Sequence, residues 1–135
     1  MKLVLFVLLV ATATTMAHAE TYAFRIGRFT DLTFITDKGK AKVIIEEGDK
    51  VSSAIVFEAR LKPSRKGSFV TKRGTIFHLQ RLKEKVINDA NRHINSGNYK
   101  LVVSGKGPEY DRIVAWKSDF AENDEPEYFG EKRSQ

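Results

Sequence analysis

The chain has 135 residues, 41% hydrophobic and 30% charged, with no cysteine and a formal net charge of +6. This composition excludes wholesale disorder, collagen-like repetition and a multi-span membrane protein, and the length suits one core rather than two. The missing cysteines remove disulfide bracing and thiol nucleophiles together, so the core alone must hold the fold.

Lys2, the apolar run Leu3 to Val10 and Ala17-His18-Ala19 before Glu20 have the layout of a secretory signal peptide. The apolar run is about half the ~20 residues that a spanning helix needs. Cleavage after Ala19 is expected, giving a secreted or periplasmic protein with no transmembrane segment. Residues 20–135 then carry 22 basic against 17 acidic side chains.

Tyr22, Phe24 and Ile26 alternate with polar or small neighbours, which predicts a strand. A second short strand is expected at 32–36 and a third at 42–46, with Asp37-Lys38-Gly39 as the hairpin turn between them. Residues 51–61 predict a long strand with Val51, Ser53, Ile55, Phe57, Ala59 and Leu61 on one face. Pro63-Ser64 breaks it, and 68–71 suggests a short edge strand.

At Thr75 the apolar period lengthens. Ile76, Leu79, Leu82, Val86, Ala90 and Ile94 recur every three or four residues, which predicts a helix over about 75–95, N-capped by Thr75 and ended at Asn95-Ser96-Gly97. Residues 99–103 and 112–116 predict a closing hairpin. Residues 119–131 hold six acids and no base, which reads as a mobile acidic tail running to 135. The expected fold is α+β: a curled antiparallel sheet of about six to seven strands packed on one long helix, forming a single domain over 20–118.

For function, the conspicuous feature is the stretch 62–85, where Lys62, Arg65, Lys66, Lys72, Arg73, Arg81, Lys83 and Lys85 face one acid, Glu84. Such a cluster steers polyanions over long range, so the expected partner is an acidic protein or an anionic envelope component. Phe69 and Phe77 are candidate hydrophobic anchors beside it. They are too few for the stacking platform of a single-strand nucleic-acid binder, and nucleic acid is disfavoured. An acidic tail folded back over the patch would mask it through labile ion pairs.

No phosphate-cradling glycine loop, nucleophile elbow or zinc-protease signature occurs, and no catalytic residue, metal or cofactor is assigned. His78 and His93 would lie about 22 Å apart on one helix at roughly 1.5 Å per residue, too far to share a metal. The expectation is therefore a small exported, non-enzymatic binding or inhibitor protein, similar in type to small periplasmic inhibitors such as those that block lysozymes. The alternative is a metal-dependent phosphodiesterase or nuclease with Asp49 and Glu58 as ligands.

Overall fold

Alternation of apolar and polar residues recurs in several segments after Glu20, and in a computed structural model these form strands that pair one after another. Residues 19–49, 51–88, 94–115 and 126–133 are described. The strands are β1 (Glu20–Gly27), β2 (Thr30–Asp37), β3 (Lys40–Gly48), β4 (Ser53–Pro63), β5 (Ser68–Val70), β6 (Ile76–Val86), β7 (Gly97–Ser104) and β8 (Glu127–Arg133). One seven-residue helix, α1 (Pro108–Val114), lies between β7 and β8. Each strand pairs antiparallel with the next, and β8 pairs with β1, so the sheet closes into an eight-stranded up-and-down barrel.

The local sequence explains the turns. Lys38 and Gly39 both take positive φ between the closing pair Asp37 and Lys40, the geometry of a tight type I′ hairpin. At the β3–β4 turn, Asp49 Oδ1 accepts hydrogen bonds from the backbone N–H groups of Ser52 and Val51 at 2.8 and 2.9 Å. These two bonds hold its carboxyl below the usual carboxylate range.

The interior is filled. Phe24, Ile26, Leu32, Phe34, Val43, Ile45, Phe77, Leu101, Val103, Ile113 and Tyr128 are all essentially inaccessible. An eight-stranded barrel is just wide enough for side chains of this size to meet at the centre. Phe34 packs on Phe69 and Phe77 at centroid distances of 5.6 and 6.2 Å, and Tyr22 meets Tyr99 edge-on at 4.9 Å. The outward face instead carries ion pairs, Arg25 with Asp31, Lys42 with Glu58 and Lys100 with Glu127. An apolar inside and a charged outside invert the pattern of a membrane-spanning barrel.

Three expectations are corrected. The long helix over 75–95 is absent, and the α+β arrangement with it. Thr75 is not an N-cap, and Ile76–Val86 is β6, with Phe77 and Leu79 turned to the core. Thr75, Ile76 and Phe77 are β-branched or aromatic, and pairing with β5 and β7 overrides the helical propensity of Gln80 to Lys85. The residues of that helix at 89–93 lie outside the described residues.

The second correction concerns the closing hairpin. Its first half is β7, but Arg112 to Val114 belong to α1, with Pro108 at the first helical position and Glu109 and Asp111 in the first turn. Trp116 lies outside the described residues.

The third concerns the tail. Glu127–Arg133 forms β8, with Tyr128 fully buried, while 119–125 lies outside the described residues. A smaller change falls within β4. Its register against β3 shifts by one residue at Val56, so Ile55, expected inside, is exposed, and Val51, also expected inside, lies exposed in the turn before β4.

Closure relies on two glycines. A Cβ on Gly130 would stand 2.1 Å from the Ala23 carbonyl oxygen and 2.6 Å from Phe24 Cδ1, and one on Gly97 would stand 1.9 Å from the Gly130 oxygen. Beside them Asn95, at φ 54°, bridges the place where β1 and β8 part. Its N–H donates to Arg25 O and its Oδ1 accepts from Phe129 N–H.

Gly130→Ala is therefore expected to cost about 2 kcal/mol in urea unfolding. Tyr128→Phe should gain about 1 kcal/mol, because the buried Tyr128 hydroxyl has no hydrogen-bond partner among the described residues. Burial also raises the Tyr128 pKa, so the folded state favours the neutral phenol. Its contribution is fully present below pH 10, the ordinary tyrosine value, and is lost as pH rises beyond it. Stability measured above pH 10 should fall less steeply in Tyr128→Phe.

Candidate functional site

In an up-and-down barrel, successive turns fall at opposite ends. One end carries the start of β1, the β2–β3 and β4–β5 turns, the β6–β7 connection and the end of β8. The other carries the β1–β2, β3–β4 and β5–β6 turns and α1. This sorting divides the basic stretch read from the sequence. Lys62, Arg65 and Lys66 reach the first end on the β4–β5 turn, and Arg81, Lys83 and Lys85 occupy the half of β6 that runs toward it. Lys72 and Arg73 sit on the β5–β6 turn at the opposite end.

The two β-segments of the first group are neighbours. The N–H of Leu79 donates to Gly67 O at 2.9 Å, and Ser68 Oγ lies 2.8 Å from His78 Nδ1, which stitches the β4–β5 turn onto β6. Beyond Arg81, five residues of β6 are spent against two of β7, from Arg81–Tyr99 to Val86–Gly97. This long bulge carries Lys83 and Lys85 out of the regular ladder.

Four cations outside the 62–85 window join them: Lys38 and Lys40 on the β2–β3 hairpin, and Lys132 and Arg133 at the end of β8. Among the described residues, ten cations thus meet four acids, Glu20, Asp37, Glu84 and Glu131, at one end. At the other end, among the described residues, Arg28, Lys72, Arg73, Lys106 and Arg112 are balanced by Glu46, Glu47, Asp49, Glu109 and Asp111. The described residues are thus electrically polarised along the barrel axis.

Two cations of the basic end are engaged. Lys85 pairs with Glu131 at 2.6 Å, and Lys132 with Glu20 at 2.9 Å. The hydrogen bond to Glu20 raises the Lys132 pKa, and Arg81 nearby opposes this. Glu20 also accepts from the Tyr22 hydroxyl at 2.6 Å. The other eight cations of this end have no ion pair among the described residues. Among the described residues of the acidic segment, Glu131 alone reaches a cation of this end, Lys85.

Sequence reasoning missed Lys38, Lys40, Lys132 and Arg133 because they are distant in the chain, and only closure brings β8 beside β1. It also placed two aromatic residues on the surface. Phe77 is fully buried and Phe69 packs on Phe34, so neither is an anchor at the basic end. Among the described residues, the exposed large apolar side chains at that end are Val86 and Ile87.

Asp49 and Glu58 are not brought together. Glu58 pairs across the ladder with Ile44 and forms an ion pair with Lys42 at 2.9 Å, whereas Asp49 lies beyond Gly48 at the turn. From Ile44 to Gly48 is about 13 Å at roughly 3.3 Å per residue. No group of three or more metal-ligating residues occurs among the described residues. His78 is held by Ser68 on the barrel wall, and His93 lies outside the described residues.

The balanced end is closed by α1. Ile113 is buried within the core cluster. Glu109 Oε1 accepts from the Thr71 and Thr75 hydroxyls at 2.5 and 2.6 Å, and Arg112 Nη2 donates to Val56 O at 2.6 Å. The helix is therefore tied to the β5–β6 turn on one side and to β4 on the other.

Comparison of the chain with known protein families, with curated proteins and with solved structures finds no match. Among the described residues, no helix is long and apolar enough to cross a membrane.

Glu109→Ala strips the acceptor from two threonine hydroxyls, one of them on fully buried Thr75. It should cost about 1–3 kcal/mol in urea unfolding. Amide exchange should quicken first in α1 and the β5–β6 turn, while the β1–β2–β3 ladder stays protected.

Proposed function

We propose that this protein is an exported, non-catalytic binding module that engages an acidic protein or an anionic envelope component through the cationic end of its barrel. The observation that carries this reading is the sorting of charge among the described residues: ten cations against four acids at one end, and balance at the other. A surface of this kind raises the local concentration of an anionic partner and speeds encounter, in a manner that salt suppresses. The packed interior supports a role exercised at the surface, since large side chains occupy the space that a lipocalin-type ligand would need.

Two sets of variants test the reading. Reversing Lys62, Arg65, Lys66 and Lys83 to glutamate should abolish retention on an immobilised polyanion and capture of an acidic partner from an envelope fraction at low salt. Reversing Arg28, Lys72 and Lys106, which lie at the other end, should change retention by less than twofold. Equal losses in both sets would mean that net charge alone drives adsorption, and the proposed site would fall. Export is checked by sequencing the recovered protein, which should begin at Glu20.

A further inference from the structure

The barrel is hydrogen-bonded around its circumference, but one seam is nearly open. β4 pairs with β3 along its length, yet with β5 only through Lys62–Val70 and Pro63–Phe69. On that side Ser53–Leu61 has no strand partner among the described residues. Edges of this length are normally shortened, charged or covered, because they template further strands. Here the edge reads Ser-Ala-Ile-Val-Phe in its upper half, and Ile55 is 57% exposed.

A groove of about 550 Å³ runs along this edge. Its floor is Ile55 to Glu58, and its far wall is Arg73 with Pro108, Glu109 and Arg112. The edge already accepts a hydrogen bond here, from the Arg112 side chain to Val56 O. Both carboxylates of the groove are engaged: Glu58 by Lys42, and Glu109 by the two threonines. Arg73 is exposed and has no partner among the described residues.

We propose that this groove is a second binding site, independent of the cationic end, which takes an extended acidic peptide as an added strand on β4. Peptide N–H and C=O groups pair with the free edge, one peptide amide taking over the Val56 carbonyl from Arg112, and the apolar side chains on the peptide's outer face lie against the exposed Ile55. A peptide carboxylate meets Arg73, the cation left unneutralised. A second copy of the chain fits less well, because it would bring its own α1 along the same edge, and the slot between edge and helix is walled on both sides.

The test is an NMR titration of the full chain with an end-blocked octapeptide of alternating valine and threonine carrying one central aspartate. Saturable shifts confined to residues 53–61, Arg73 and α1, with millimolar or tighter affinity, are expected. Methylating the peptide's alternate backbone nitrogens should abolish them. Arg73→Glu should weaken the aspartate peptide roughly three- to fivefold and favour a lysine-centred one by a similar factor.

No saturable shifts, shifts elsewhere or equal binding of the methylated peptide would overturn the proposal. So would concentration-dependent shifts of the β4 signals without peptide, which would mean that a second copy occupies the edge.

Discussion

Closure of the sheet is the constraint on which the rest depends. Eight strands left open would expose two edges, and the large side chains of β1 and β8, Tyr22, Phe24 and Tyr128, would face water. Bringing β8 between β7 and β1 buries them and pairs Thr21 through Phe24 with Arg133 through Gly130. The geometry of that junction is exacting. Gly97 and Gly130 leave no room for a side chain, and Asn95 supplies both a donor and an acceptor where the two strands diverge. At the β4–β5 seam, where strand pairing nearly lapses, α1 takes over through Ile113, Glu109 and Arg112.

Closure also organises the charge. A meander of eight strands sends alternate turns to opposite ends, so segments far apart in sequence become neighbours while adjacent segments are separated. Lys72 and Arg73 lie only a few residues from Lys66, but the three-residue β5 between them is enough to change ends. Lys38 and Arg133 are distant in the chain and share an end. The ion pairs Lys85–Glu131 and Lys132–Glu20 are exposed, and pairs of this kind contribute little to stability. They occupy two of the end's acids, Glu131 and Glu20, and eight cations there keep no ion pair among the described residues.

Much of the first half was legible in the sequence. The alternation in 22–26 and 51–61 and the Lys38-Gly39 turn are local signals, and their strands form as the local chemistry dictates. The face of β4 was only half legible, because a bulge at Val56 is decided by the partner strand.

β6 was misread for a physical reason: Ile76, Leu79, Leu82 and Val86 satisfy a helical period, while the strand uses only Phe77 and Leu79 of the alternation before its bulge. Pairing partners on both sides decided the outcome. β8 was obscured by its acids, which point outward while Tyr128 points in. The candidate site suffered the same limitation: a window of sequence found six of the ten cations at one end, and topology supplied the rest.

The chain's lack of cysteine allows closure to be tested directly. Ala23 and Glu131 face each other across the β1–β8 junction, and opposed residues of an antiparallel pair lie within disulfide range. In the double variant A23C/E131C, mild oxidation of the folded protein should form the cross-link quantitatively and raise the melting temperature. A pair of thiols that stays reduced until the protein is unfolded would show β8 away from β1, and both the barrel and its sorted ends would be wrong.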